Sequence, residues 1–342
     1  MADKVLVTGV SGFLGGHVAL ALLDAGYAVR GSVRSLDKAD RVRATLRRAS
    51  ASGNIGNLEF VALDLMKDDG WREAMAGCRY LQHVASPFFV ELPRDRDELI
   101  RPAVEGTQRA LAAALAQGVE RVVLTSSAAA IMYGHPPGRT APFTEADWSA
   151  TEGPDVTSYT ESKTRAELAA WSIMEAAGRR DDLVVINPTG ILGPLLDDDP
   201  GTSGALLLRL LNGSVPAAPK IYFGGVDVRD VSELHLRAME TTWAGGKRFI
   251  ASSGVMSLLE TAEVLRQAFP GYARKLPRRE VPNWLVRLFA FVDPGMRGNV
   301  GSLGIVRRTD PREGERLLGR PFRSAAEATI AMGRSLIAEK LV

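Results

Sequence analysis

Only one of the six tyrosines, Tyr159, has a lysine four residues later, Lys163. Four residues is about one helical turn, so on a helix the phenol and the ammonium share a face. Ser158-Tyr-Thr-Glu161 reads as a capping box, which places Tyr159 in the first turn of that helix. Upstream, a β-branched run ends in Thr125-Ser126-Ser127. These residue types suit one chemistry. Hydride delivered to a carbonyl carbon leaves an alkoxide that must take a proton, and a tyrosine can supply it. Its ordinary pKa of ~10 is too high for free exchange at neutral pH. A neighbouring ammonium, together with a positive oxidised nicotinamide, is expected to bring it towards the working range. The Ser127 hydroxyl would hold the developing oxyanion. The bland alternative is an exposed helical Tyr/Lys pair and an unrelated strand-end serine; the three together favour the chemical reading.

Hydride needs a carrier, and the N-terminus offers a place for one. Val7-Thr-Gly9-Val-Ser11-Gly12-Phe13-Leu14-Gly15 follows a first apolar run and opens a helical pattern. Its Gly-x-x-Gly-x-x-Gly spacing lets the backbone turn tightly and approach a pyrophosphate seated on free helix N–H groups. Gly9, Ser11, Gly12, Phe13 and Leu14 are the expected contacts. After the second run, where an NAD site usually carries an acid, the chain reads Arg30-Gly-Ser-Val-Arg34-Ser35, with no acid before Asp37. Arg34 can pair with a 2′-phosphate, and Arg41 on the next helix either reaches the same phosphate or lies on a solvated face. NADP(H) is therefore expected over NAD. Asp64 and Leu65, closing the third run, would flank the adenine, although Asp there is also ordinary turn chemistry.

The elements that position these groups alternate in period. Short β-branched runs stand at Lys4–Gly9, Tyr27–Val33, Leu58–Asp64, Tyr80–Ser86, Arg121–Ser127 and Leu183–Pro188. Helical patterns separate most of them. Gly12–Ala25 aligns Leu14, Val18, Leu22 and Ala25, and Glu98–Gln117 aligns Leu99, Ala103, Gly106, Ala110, Leu111 and Leu115. Such alternation predicts βαβ units and a parallel sheet covered on both faces. Beyond Pro188 the texture turns irregular. Two further strands, near Ile221–Phe223 and Arg248–Ser252, are expected to return to the first sheet. Helices over Thr202–Asn212 and within Leu258–Val342 would form a smaller lobe. The division expected is a dinucleotide-binding domain over 1–190, with returning segments near 220–252, and a discontinuous substrate lobe over 191–342.

These stretches together resemble the extended short-chain dehydrogenase/reductases. The similarity is to the branch of dihydroflavonol reductases, cinnamoyl-CoA reductases and NADPH-dependent aldehyde and ketone reductases. It is carried by Val7–Gly16, His83-Val-Ala-Ser-Pro87, Arg101-Pro-Ala-Val-Glu-Gly-Thr107, Arg121–Ala128, Tyr159–Lys163, Val185-Ile-Asn-Pro188 with Leu192-Gly-Pro194, and Gly225–Val231. The resemblance implies a Rossmann-type α/β fold, a doubly wound parallel sheet with a smaller, mostly helical C-terminal lobe. It makes Ser127, Tyr159 and Lys163 the catalytic set and lays Val84, Ala85 and Ser86 along the cofactor's ribose and pyrophosphate. Pro188 and Ile191 would meet the nicotinamide amide, and Ser203 would be a further cofactor contact. The implied activity is reversible NADPH-dependent reduction of apolar or aromatic aldehydes or ketones. A substrate pocket would draw on Phe88, Phe89, Tyr133, Leu192, Leu206, Ile221, Tyr222 and Trp284, any of which could equally be ordinary core packing. Two departures stand out: Arg79 replaces the usual Asp before the fourth strand, and no asparagine can be assigned as a fourth catalytic member. The alternatives are a nucleotide-sugar epimerase or dehydratase on the same scaffold, and a non-enzymatic NADP-sensing regulator.

Composition narrows the rest. Forty-two Lys and Arg against 40 Asp and Glu leave a net +2 in 342 residues, which argues against nucleic acid as partner. Yet seven basic residues and two acids lie between Arg30 and Arg48, an excess suited to one phosphate-bearing cofactor. A single cysteine, Cys78, excludes an intramolecular disulfide framework and reads as an inert core thiol. Four histidines without ligand spacing predict no metal. No apolar run approaches ~18 residues and no secretory signal is visible, so no membrane partner is expected. The expectation is a cytoplasmic protein, monomer or homodimer, with a small-molecule carbonyl or alcohol as partner.

Overall fold

The computed structural model describes residues 2–51, 53, 55–86, 95–289 and 300–342, without the side chains of Thr202 and Phe289. The six apolar runs form β1 (Lys4–Val7), β2 (Ala28–Val33), β3 (Leu58–Ala62), β4 (Tyr80–His83), β5 (Arg121–Thr125) and β6 (Leu183–Pro188). They are followed by β7 (Gly190–Leu192), β8 (Ala218–Pro219), β9 (Tyr222–Asp227), β10 (Lys247–Ala251), β11 (Val255–Ser257) and β12 (Glu280–Val281). Between them run α1 (Phe13–Asp24), α2 (Ala39–Ala49), α3 (Trp71–Met75), α4 (Asp97–Ala116), α5 (Ser158–Ala176), α6 (Gly201–Leu211), α7 (Val228–Glu240), α8 (Leu258–Ala268) and α9 (Asn283–Phe289). Helices Arg312–Leu318 and Ala325–Ala338 complete the chain.

Seven strands make one sheet in the order β10-β6-β5-β4-β1-β2-β3, every neighbour pair parallel. A parallel sheet needs both faces covered, and two separate cores do this. On one face Leu14, Val18 and Leu22 of α1, Val42 and Leu46 of α2, and Val231 and Leu234 of α7 pack on Val5, Val7 and Phe249. On the other, Trp71 and Met75 of α3, Ala110 and Leu111 of α4, and Trp171 and Met174 of α5 pack on Leu6, Leu81 and Leu124. The chain winds outward from β1 to β3, then restarts beside β1 with β4. The crevice at the carboxyl ends of β1 and β4 is therefore the switch point where an open sheet of this kind takes its ligand. Arg79 explains its own departure: it donates to Asp3 at 2.6 Å and Glu120 at 2.8 Å, tying the start of β4 to the segments entering β1 and β5.

The strand expected near Ile221–Phe223 does not return to this sheet. The edge of β6 is taken by β10, in register from Val184 against Lys247 to Pro188 against Ala251. β9 instead joins a three-stranded sheet, parallel to β7 and antiparallel to β11. Gly224 permits this, since a Cβ there would fall 2.7 Å from the Thr189 side chain. A third core, with Leu207, Leu211, Leu265, Met332 and Leu336, lies beneath it. Asp230 of α7, fully buried, accepts from Arg320 at 2.8 Å and from the Arg323 backbone N–H at 2.6 Å. That clamp holds the C-terminal segment against the large sheet's helices. Among the described residues no helix is long and apolar enough to cross a membrane.

Candidate active site

The glycine-rich turn is built for close approach. Gly9 has φ +71°, and a Cβ on it would sit 3.0 Å from the Ala85 Cβ. A Cβ on Gly15 would fall 2.1 Å from the Gly9 carbonyl oxygen. Gly12 caps α1 with no side-chain hydrogen bond, and the first turn holds no acid, so the N–H groups there face outward unneutralised. The turn is held from behind by hydroxyls. Ser32 Oγ accepts from Gly9 N at 3.1 Å, and Thr8 Oγ1 accepts from Val84 N and Ala85 N at 3.0 Å each. With both lone pairs used, the Thr8 hydroxyl donates to His83 Nδ1 at 3.0 Å. Burial holds His83 down at about 4, so it stays neutral. Ser11 and Gly12 are exposed, whereas Leu14 is core and Phe13 lies edge-on to His17 at 5.5 Å. Leu14 can therefore face a ligand only through its backbone.

The end of the crevice expected to take the 2′-phosphate lies beside β2. Arg34 is exposed just past the strand and makes no hydrogen bond or ion pair with another described residue. Arg41 is not free in this way. It pairs with Asp198, and with Asp197 at 3.7 Å, across the crevice from α2. Asp64 is spent on a local turn, accepting from Met66 N at 2.9 Å, and Leu65 packs over Gly106 of α4. A cradle without a carboxylate at the helix start, with an unpartnered arginine at the end of β2, fits a dinucleotide bearing a 2′-phosphate.

At the opposite end three predicted residues come together. Ser127 lies two residues beyond β5 in extended conformation, with its Oγ accepting from Ala129 N at 3.1 Å and its side chain facing the Tyr159 phenol. Lys163 Nζ donates to Ser86 Oγ at 3.0 Å and lies 5.9 Å from the centre of the Tyr159 ring. The helix cap sits one residue earlier than the sequence pattern suggests. Thr157 accepts from Thr160 N, while Glu161 turns to Arg165 at 2.8 Å and to Arg96. Tyr159 remains in the first turn, so the register of the pair is unchanged.

The electrostatics of the site are set first by burial. Burial pushes the Tyr159 phenol up, opposed by the Ser127 hydrogen bond. Burial also brings the Lys163 ammonium down from 10.5 to about 8, with Glu167 opposing. Both shifts have burial as their largest cause, since each group loses water around its charged form.

Pro188 ends β6, and Ile191 lies two residues into the short sheet. The Ser203 hydroxyl would come within 3.9 Å of a Cβ on Gly190, so α6 does reach this edge. Of the expected pocket residues, Phe88 and Phe89 lie outside the described residues. Leu192 is buried in the third core, and Trp284 is 67% exposed on α9, so neither lines a closed site. Tyr133 is half-buried, with Arg307 stacked on its ring at 4.4 Å. Sequence reasoning missed Thr8, Ser32 and His83, whose contacts span distant parts of the chain. It also missed Glu167, although its place one turn beyond Lys163 was a legible signal. Cys78 is buried, as expected, with its thiol pushed up by desolvation.

Fold and site together define an extended short-chain dehydrogenase/reductase architecture. The chain belongs to the NAD dependent epimerase/dehydratase family, whose sequence model matches residues 5–250. It is 35% identical to the ketoreductase azaE of Aspergillus niger over 303 residues, 83% of this chain and 87% of that one. It is 34% identical to the cinnamoyl-CoA reductase CAD2 of Medicago truncatula over 278 residues, 79% and 82% of the two chains. Among solved structures it superposes on the yeast methylglyoxal/isovaleraldehyde reductase Gre2 complexed with NADPH. The TM-score is 0.79 at 27% identity, covering 99% of this chain and 100% of that one.

Proposed function

We propose that this chain reduces apolar or aromatic aldehydes or ketones to alcohols, reversibly, with Tyr159 as the proton donor. The chain is an NADP-dependent oxidoreductase. The observation that carries the finer reading is the meeting of Ser127, Tyr159 and Lys163 at the carboxyl edge of β5, beside Ser86. Residues 1–190 with the returning strand near 247–251 serve as the dinucleotide half, and 191–342 furnish the substrate lobe.

NADPH bound along the crevice supplies the hydride. Gly9, Ser11 and Gly12, with the backbone of Phe13 and Leu14, would hold its pyrophosphate, and Arg34 its 2′-phosphate. Val84, Ala85, Ser86 and Lys163 would line the ribose side, with Pro188, Ile191 and Ser203 at the nicotinamide end. The raised pKa of Tyr159 keeps its proton in place until it is needed, which suits an acid in the reductive direction. Once the proton moves to the substrate oxygen, the Lys163 ammonium stabilises the phenolate left behind. Ser127 also donates to the substrate oxygen, holding it within reach of the phenol.

The substrate class rests on relatives named for a cinnamoyl thioester, a ketone and small aldehydes. NADPH and NADH oxidation is to be measured against aromatic aldehydes, ketoesters, flavanonols and sugar nucleotides. Turnover is expected with the first three classes and not the last. Tyr159→Phe should abolish turnover with NADPH affinity nearly intact; a variant that still turns over refutes the mechanism.

A further inference from the structure

Behind the Tyr159–Lys163 face lies a buried polar node that the reaction as drawn does not use. Glu167, 1% exposed, stands on α5 one turn beyond Lys163. Its Oε2 accepts from Ser126 Oγ at 2.5 Å and from Asn187 Nδ2 at 2.8 Å. Its Oε1 accepts from Arg248 Nε at 2.6 Å and from Trp171 Nε1 at 3.3 Å. The same Asn187 amide donates to the Ser127 carbonyl at 3.2 Å. Arg248 donates onward to the carbonyls of Glu145 and Asp147 and, at 3.4 Å, to that of Ala130, in the turn just after Ser127. One carboxylate thus ties α5 to the ends of β5, β6 and β10.

The arrangement needs a reason, because burying a charged pair costs more than packing the same space with apolar groups. Apolar contacts would hold α5 on the sheet equally well. They would not fix where the end of β5 lies relative to the helix face, since dispersion is non-directional and hydrogen bonds are directional. Ser127 arrives from β5, whereas Tyr159 and Lys163 arrive from α5 some thirty residues later, so their alignment depends on such a lock. We infer that Glu167 is a positioning residue for the Ser127–Tyr159–Lys163 set, registering the Ser126–Ser127 strand end against α5 and placing a negative charge beneath Lys163. The inference rests on the catalytic reading above and deepens it.

The charge half can be tested by pH because the surroundings are simple. Lys163 faces Ser86 and neutral His83 from the end of β4, uncharged Thr107 of α4, and Tyr159 and Glu167 of its own helix. Glu167 faces Arg248 of β10. Among these, Glu167 is the group that favours the Lys163 ammonium.

The test compares kcat, KM for NADPH and the pH profile of kcat in wild type, Glu167→Gln and Ser126→Ala, using the carbonyl substrate wild type reduces fastest. Glu167→Gln should lower kcat at pH 7 about tenfold or more, leave KM for NADPH within about twofold, and move the basic limb down by about one pH unit. Ser126→Ala leaves the Glu167–Arg248 pair whole; it should lower kcat about threefold with the limb unmoved. A folded Glu167→Gln enzyme with wild-type kcat and limb, alongside an inactive Tyr159→Phe, overturns the positioning role alone. If Glu167→Gln does not melt cooperatively, Ser126→Ala decides, and an unchanged kcat overturns the role. Turnover in Tyr159→Phe overturns the catalytic reading and this inference with it.

Discussion

Gly15→Ala isolates the close approach on which the cofactor cradle depends. The added Cβ would lie 2.1 Å from the Gly9 carbonyl oxygen, 2.8 Å from its carbon and 3.2 Å from Val10 Cα. All three are backbone atoms, so no rotamer change relieves them, and the gap must open by more than ~1 Å to reach ordinary contact. Gly9 is held in place, because its N–H donates to Ser32 Oγ at 3.1 Å and Ala85 stands where a Cβ on Gly9 would point. The first turn of α1 must move outward instead. A shift of ~1 Å takes N–H donors from ~2.9 Å to ~4 Å from a bound phosphate, beyond hydrogen-bond range. Each such bond to a charged group contributes ~1.5–3 kcal/mol. Losing one or two should weaken NADPH binding at least ~10- to 100-fold. Overpacking should cost a further ~1–3 kcal/mol of stability. Alanine's helix preference returns only ~1 kcal/mol. Gly16→Ala is the paired control, since its Cβ meets the flexible tip of Leu196 at 3.1 Å and the Val10 carbonyl oxygen at an ordinary 3.6 Å. Cofactor titration by fluorescence and urea unfolding read both variants. Gly15→Ala binding NADPH within about threefold of wild type, or Gly16→Ala losing as much, refutes the reasoning.

Three further outcomes follow from the charges. Arg34→Asp should weaken NADPH by ~1.5–3 kcal/mol and leave NADH nearly unchanged, and equal losses in titrations of the two would remove Arg34 from the phosphate site. Asp198→Asn leaves Arg41 only its longer contact with Asp197 and should tighten NADPH about two- to fivefold at low salt; no change would leave Arg41 a surface residue. Burial lowers Lys163 from 10.5 to about 8, so the folded cofactor-free chain binds fewer protons than the unfolded chain between those values. Its penalty is fully present below pH ~8, and stability rises with pH through that window. Wild type should therefore gain up to ~3 kcal/mol on Lys163→Met between pH 8 and 10, and a constant difference in urea unfolding would contradict the buried-ammonium picture.

The parallel sheet was legible because each strand buried on both faces is written as a short β-branched run, and each covering helix carries its own apolar stripe. The proposed catalytic set was legible for the same local reason: Tyr159 and Lys163 share a helix face, and Ser127 follows a strand end. The cap at Thr157 was misplaced by one residue, because Thr157 and Ser158 are both good caps and only backbone geometry separates them. The fate of β9 was not local at all. Whether it or β10 took the edge of β6 depended on competition between segments far apart in sequence.

The amino-acid sequence by itself determined the alternation of strand and helix, the glycine turn, the arginine after β2 and the Tyr159–Lys163 register, because each depends on neighbours within one turn or one strand. Tertiary structure alone decided the protonation bias of the site. Tyr159 is held up and Lys163 held down because both are enclosed, and Glu167 answers Lys163 while bonded to β5, β6 and β10 at once. Desolvation and convergent hydrogen bonds are properties of the packed volume, and no spacing along the chain encodes them.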